Sequence, residues 1–158
     1  IRFWPNNKGR DGCRTPMTWD SKLTNAGFSE NKPWLPIKPA QASRSAKQQE
    51  NNQDSILRFY RQMLDFRHKS NSLRKGETIF FDTEEPVLAF SRKFKSESVI
   101  CVFNLSKDQV SIKIDNLKGP INYPNFKTEL SSRELGLGAN GFCFLSEDSD
   151  NDVVLNYP

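Results

Sequence analysis

The residues best equipped for chemistry lie together near the start of the chain, in residues 9–20 (GRDGCRTPMTWD). Arg10 and Arg14 each offer a planar, permanently charged fork suited to a carboxylate or a substrate hydroxyl. Asp11 stands beside Arg10, and Trp19 and Asp20 close the stretch. Gly9, Gly12 and Pro16 forbid a long helix or strand here and favour fixed turns. Short charged loops carried on a rigid scaffold are where binding and catalytic side chains concentrate. Chemistry alone leaves a second reading open, in which Arg and Asp pair with each other and the loop is structural.

Elsewhere the chemical inventory is thin. His68, the one histidine, falls at the polar end of a predicted helix. No second His or Cys and no carboxylate cluster completes a metal or acid-base site around it, so it reads as a surface residue. Cys13, Cys101 and Cys143 form an odd set without CxxC spacing. That argues against zinc or a disulfide framework and fits a reducing, cytoplasmic compartment. Cys101 (VICVF) and Cys143 (FCFL) lie in apolar runs and read as small buried hydrophobes. No nucleophile elbow, phosphate-binding glycine loop or HExxH is present. Glu84 and Glu85 in a turn, and Asp148, Asp150 and Asp152 near the C-terminus, read as solubilising. The expectation is no catalytic residue, no metal and no cofactor within this stretch of chain.

A length of 158 residues suits one domain of ordinary size. Twelve Phe, three Tyr and three Trp supply core bulk, although 35% hydrophobic content is lean. The net charge of +4 is spread among both signs, so no basic stripe points to nucleic acid. The locally basic residues 67–74 (RHKSNSLR) read as a solvated helix end, where cations are favourable. No run reaches membrane-spanning length and no signal peptide is visible, so no membrane partner is expected.

The elements that must carry the charged loop differ sharply along the chain. Residues 1–52 lack a helical or strand period, yet hold Pro5, Pro16, Pro33, Pro36 and Pro39 and all three tryptophans, Trp4, Trp19 and Trp34. Such a stretch is too long for a structureless loop and too aromatic for a disordered tail. It reads as loops meant to pack on a surface supplied by another part of a larger protein. Residues 40–52 read as an exposed linker. Asp54 is the expected N-cap of a helix starting at Ser55 and ending near Lys69. Ile56, Leu57, Phe59, Tyr60, Met63, Leu64 and Phe66 recur at helical spacing, an arc wide enough to predict deep burial, with Met63 as core filling. From Glu77 the period becomes two. Strands are expected at 78–82, 87–94, 98–105, 109–114, 127–131 and 141–146, with 84–86, 95–97 and 106–108 as hairpin connections. Residues 116–125 read as irregular, and 147–152 as a fraying acidic end. The fold class expected is mainly β, an antiparallel Greek-key sandwich preceded by one helix and a long irregular segment.

The sequence GRDGCRTPMTWD, then NAGFS (25–29), PWLP (33–36) and DSILRFYRQMLDFRHKSNSLRKG (54–76), in that order and spacing, resembles the α-glucosidase and oligosaccharide-glucosidase branch of the α-amylase family. From residue 77 the likeness is one of general pattern. The resemblance implies that residues 1–52 follow the eighth strand of a (β/α)8 barrel and that residues 54–69 are the eighth barrel helix. Residues 1–75 would then end the catalytic barrel and 76–158 form a C-terminal β domain. Active sites of such barrels are built from the loops at the strand C-terminal ends.

The family's two catalytic carboxyls and a third essential Asp lie on earlier barrel strands, and the blocks that carry them are absent from this sequence. The implied activity is that of a retaining, exo-acting α-glucosidase on α-linked gluco-oligosaccharides, with this segment inactive alone. By position, Arg10 would reach into the glucose pocket. Asp11 would orient it by adjacency, and Arg14, Thr15 and Pro16 would be loop scaffolding. Two rivals stand beside this reading. A carbohydrate-binding β module predicts exposed aromatics on the sheet of 77–146, against which all three tryptophans lie outside it. A non-enzymatic amylase-like ectodomain would be marked by carboxylates lost upstream.

Overall fold

The computed structural model describes residues 11–115, 124–131 and 133–146, and the backbone of 154–156. Trp4 and Arg10, most of the segment 116–125 and the acidic stretch 147–152 lie outside the described residues. The chain divides into two compact units, Ile1–Arg61 and Gln62–Pro158, with the boundary inside a helix.

In the first unit, turns and short helices replace any long element. A 3₁₀ turn spans Asp11–Cys13 and a left-handed turn Thr24–Gly27, followed by α1 (Pro39–Ala42) and α2 (Ala46–Glu50). Residues 40–52 are therefore not the bare linker their polar composition suggests. Their glutamines make the local bonds that a composition reading overlooks. The Lys38 N–H, next to Pro39 at the first helical position, donates to Gln41 Oε1 at 2.9 Å, which satisfies one orphan donor of α1. Gln49 Nε2 donates to the Arg44 carbonyl at 2.8 Å. Gln49 Oε1 accepts from the Leu57 N–H at 3.2 Å, and the Gln49 carbonyl accepts from Ser55 Oγ at 2.6 Å.

The long helix α3 (Ile56–Lys69) ends where the sequence predicts. Its cap is Ser55 rather than Asp54. Ser55 Oγ accepts from the Arg58 N–H at 3.2 Å, the three-residue reach of an N-cap. The Asp54 N–H instead donates to Asn52 Oδ1. The expected deep burial of α3 is not found, since none of its residues is buried. Ile56, Tyr60 and Leu64, one turn apart, are 68%, 62% and 51% exposed. Only Met63 and Phe66, on the adjoining part of the arc, pack against a buried cluster.

The second unit adds a short helix that the sequence reading passed over, α4 (Asn71–Lys75), and then an antiparallel sheet. Its strands are β1 (Glu77–Phe80), β2 (Val87–Phe94), β3 (Glu97–Asn104), β4 (Val110–Asp115), β5 (Phe126–Leu130), β6 (Glu134–Ser146) and β7 (Val154–Asn156). The mainly β, antiparallel expectation holds. All seven strands share one hydrogen-bonded sheet, ordered β1-β2-β3-β6-β4-β7, with β5 on β6.

Strand β6 is longer than expected and organises the sheet. Its residues 142–146 pair with β3 and its residues 134–137 with β4. The change of partner falls at 138–141, where Asn140 has φ 53°. There a Cβ on Gly141 would lie 2.8 Å from the Gly138 carbonyl oxygen, so only glycine fits. A register shift in the facing strand β5 accompanies the bend, as bulges do.

The connection at 106–108 is consequently not a hairpin, because β3 and β4 do not pair. Asn104, 2% exposed, directs the crossing. Its Nδ2 donates to the carbonyls of Asp108 (2.7 Å), Leu137 (3.2 Å) and Gly138 (3.0 Å). Its Oδ1 accepts from the Ser106 N–H and Oγ. A fully satisfied buried amide of this kind is specific, and expensive to break.

The two arms of the sheet curl around one core. Ile100, Val102 and Leu145 meet Ile112, Ile114, Leu135 and Leu137, all at most 1% exposed. Each such side chain stabilises the fold by roughly 1.5–3 kcal/mol relative to exposure. Cys101 and Cys143 are buried, as their apolar runs predict.

Candidate functional site

The charged loop is built as a braced turn. The Arg14 N–H donates to the Asp11 carbonyl at 3.1 Å, closing the 3₁₀ turn over Asp11–Cys13. Asp11, Cys13 and Arg14 are exposed, whereas Pro16, Thr18 and Asp20 are buried. The loop thus presents its first half to solvent and anchors its second half. Arg10, the residue expected to reach substrate, lies outside the described residues, so its placement beside Asp11 is not part of the geometry here.

Gln41 of α1 fixes the anchored half. Its Nε2 donates to Thr15 Oγ1 at 2.6 Å, and its carbonyl accepts from Thr18 Oγ1 at 3.1 Å. The first turn of α2 completes the brace, with the N–H groups of Ala46 and Lys47 donating to the Thr18 and Trp19 carbonyls. These orphan donors of a helix start are thereby satisfied by the loop itself.

Asp20 is used structurally. Its carboxylate accepts from Lys47 Nζ at 2.7 Å and from the Lys22 N–H at 3.0 Å. The Lys47 hydrogen bond and then the Lys22 N–H hold its pKa below the ordinary carboxylate value, and Asp20 raises that of Lys47 in return. That direction is opposite to what a general acid needs. Gln41 and Lys47 escaped the sequence reading because a glutamine and a lysine in a polar run carry no positional signal.

The NAGFS block is a left-handed turn. Asn25, Ala26 and Gly27 have φ of 48°, 52° and 73°, a conformation that favours Asn and Gly. Asn25 Nδ2 donates to the Ser29 and Asn31 carbonyls at 2.8 and 3.0 Å. The buried Ala26 carbonyl accepts from the N–H groups of both Trp19 and Asp20. The turn therefore clamps the end of GRDGCRTPMTWD, which is a physical reason for the two blocks to travel together. Beside it Ser21, Asn25, Lys32, Pro33 and Trp34 line an open groove of about 540 Å³. Trp34 is 81% and Trp19 54% exposed.

Outside this loop the chemistry is quiet. His68 is exposed at the end of α3. Burial pushes the Cys101 and Cys143 thiols up to about 12, which leaves them inert. Among the described residues no group of three His, Cys, Asp or Glu converges as a metal site. No described helix is long and apolar enough to cross a membrane.

Residues 1–76 match the family described as alpha amylase, catalytic domain, and the chain belongs to the α-amylase family. It is 42% identical to a probable alpha-glucosidase of Rhizobium meliloti (strain 1021) over 146 residues, 91% of this chain and 26% of that protein. It is 32% identical to a probable oligo-1,6-glucosidase 2 of Bacillus subtilis (strain 168) over 103 residues, 65% of this chain and 18% of that protein. Among solved structures it is similar to an alpha-glucosyl transfer enzyme, XgtA, with TM-score 0.77 and 33% identity, covering 91% of this chain and 27% of that one. The chain spans about a quarter or less of the length of these relatives.

Proposed function

We propose that this chain is the C-terminal part of a retaining, exo-acting, cytoplasmic α-glucosidase that hydrolyses α-linked gluco-oligosaccharides of the maltose or isomaltose type. Residues 1–75 close its catalytic barrel, and 76–158 form a C-terminal β domain of Greek-key sandwich type. The observation that carries the reading is the braced loop following Arg10. It sits within the stretch matching an α-amylase catalytic domain and presents Asp11 and Arg14 to solvent while Gln41, Ala26 and Lys47 hold its other end. A loop held this way positions a guanidinium without spending binding energy on ordering it.

In this proposal the acid/base and nucleophile carboxyls, about 5–5.5 Å apart in a retaining glycosidase, lie on barrel strands outside this chain. The nucleophile attacks the anomeric carbon while the acid protonates the leaving oxygen, and water then releases glucose from the covalent intermediate. Arg10 donates to substrate hydroxyls and holds neighbouring carboxylates in place. Asp11 orients Arg10. The test is p-nitrophenyl α-glucoside hydrolysis by the product of the whole reading frame and by this 158-residue chain. The whole product releases nitrophenol and the chain alone does not. Turnover by the purified chain would place a catalytic pair within it and overturn the proposal.

A carbohydrate-binding β module is a second reading, favoured by Phe80 and Phe126, which are 68% and 47% exposed on the sheet.

A further inference from the structure

The two halves of the charged loop are held by different kinds of bond. The second half has several anchors. The Thr18 and Trp19 carbonyls accept from the Ala46 and Lys47 N–H groups at 2.9 and 3.0 Å. The Trp19 and Asp20 N–H groups donate to the Ala26 carbonyl at 2.9 and 3.1 Å. Lys47 Nζ adds its 2.7 Å ion pair with Asp20. Thr18 Oγ1 donates to Gln41 at its backbone carbonyl, an acceptor that any replacement at position 41 retains.

The first half depends on less. The Arg14 N–H on the Asp11 carbonyl closes its turn, but that bond ties the turn to itself and not to the rest of the unit. The tie to the scaffold is Thr15 Oγ1, which accepts from Gln41 Nε2 at 2.6 Å. Thr15 and Gln41 are both half-buried. The far side of the same amide is fixed too, because Gln41 Oε1 accepts from the Lys38 N–H at 2.9 Å. An amide held at both ends keeps one orientation, and what it holds moves little. Thr15 also precedes Pro16, which confines its backbone to extended conformations. A fixed Thr15 hydroxyl therefore fixes the direction in which the chain arrives from Arg14.

We propose that Gln41 is a positioning residue for glucoside binding. Through Thr15 it sets where Arg14, the turn Asp11–Cys13 and, directly before that turn, Arg10 stand. Its side chain governs the exposed half of the loop alone, since the other half keeps its own anchors. Small displacements of a substrate-binding group are costly in rate, which gives such a tie its value. The inference rests on the α-glucosidase reading and on the role of Arg10 within it.

Kinetics of the whole-reading-frame product on p-nitrophenyl α-glucoside test it. Gln41→Leu removes the donor at similar volume. It lowers kcat/KM about 3- to 10-fold, the scale of one neutral hydrogen bond, and changes Tm little. Thr15→Val breaks the same bond from the loop side, with the same loss, and the double variant loses no more than either single one. Gln41→Glu restores most of the activity, because the Thr15 hydroxyl can donate to a carboxylate as readily as it accepts from an amide. In an Arg10→Ala background, Gln41→Leu costs nothing further, an outcome that a merely structural role does not produce. Normal kinetics for Gln41→Leu in an enzyme that Arg10→Ala impairs overturn the inference and leave the glucosidase reading standing. Full additivity with Arg10→Ala overturns it as well, and so does failure of both Gln41→Leu and Thr15→Val to fold. A whole product that releases no nitrophenol removes the glucosidase reading itself, and the positioning role with it.

Discussion

Gln41 shows how much of an exposed loop can depend on one residue of a neighbouring helix, through its side-chain amide and its backbone carbonyl. Its amide and carbonyl hold Thr15 and Thr18, so the loop's exposed half projects from a fixed base. Arg10 is where that base should matter. Under the proposed role, Arg10→Ala in the whole enzyme removes a charge-assisted hydrogen bond worth roughly 1.5–3 kcal/mol and lowers kcat/KM about 10- to 100-fold, with folding changed less than activity. Arg10→Lys restores little, because the ammonium keeps the charge and loses the fork. A lowered Tm with normal kinetics would instead make Arg10 structural. The thiols give a second residue-scale check. Cys13 is exposed, while Cys101 and Cys143 are buried with thiols pushed up to about 12. A colorimetric disulfide reagent at pH 8 therefore titrates Cys13 alone in the native chain and all three cysteines in denaturant. At this scale the sequence was legible where side-chain type is decisive. Buried cysteines follow from their apolar neighbours. Gln41 and Lys47 were illegible because their partners are 26 and 27 residues distant.

At the scale of elements, α4 is short and survives through its cap. Ser70 Oγ accepts from the Leu73 N–H. Glu97, at the start of β3, accepts from Ser70 Oγ at 2.5 Å, Ser72 N–H at 3.2 Å, Ser72 Oγ at 3.1 Å and Asn71 N–H at 3.3 Å. The carboxylate stands at a helix start, where negative charge is favourable. The Ser70 hydrogen bond leads in holding its pKa below the ordinary 4.5. Below that ordinary value the unfolded chain binds the proton that folded Glu97 still refuses. The stabilisation is therefore complete above about pH 4.5 and fades as pH falls through the lowered folded value. Acid unfolding followed by circular dichroism should show Glu97→Gln less stable than wild type at neutral pH, with a shallower loss below pH 4.5. Parallel curves across that range would remove Glu97 from the acid response. Strands β1 to β5 and the second half of β6 were legible from their period of two and α3 from its period of 3.6, whereas the first half of β6 and β7 were not read. The cap at Ser55, the helix α4 and the crossing from β3 to β4 were not. Those depend on which of several competent hydroxyls, amides and strand edges finds a partner in three dimensions.

For the molecule as a whole, the two units should differ in resistance. The first, held by short helices and single hydrogen bonds, exposes Lys22, Lys32 and Lys38. The second closes on a core whose members are almost entirely inaccessible. Limited trypsin digestion read by mass spectrometry should cut first at those lysines and leave a fragment retaining 62–146. Early cuts inside β2, β3 or β4 would contradict this. The placement of β6 has a further consequence for how the protein is made. It supplies the edge on which β3, β4 and β5 all pair, and Asn104 waits for carbonyls 33 and 34 residues downstream. During synthesis, then, the first three strands emerge from the ribosome with Val87, Ile100 and Val102, on the core side, still uncovered. Among the described residues no earlier segment offers β3, β4 and β5 that edge, so this core closes only once β6 has emerged. Until then, protection of the nascent chain falls to whatever meets it at the exit tunnel.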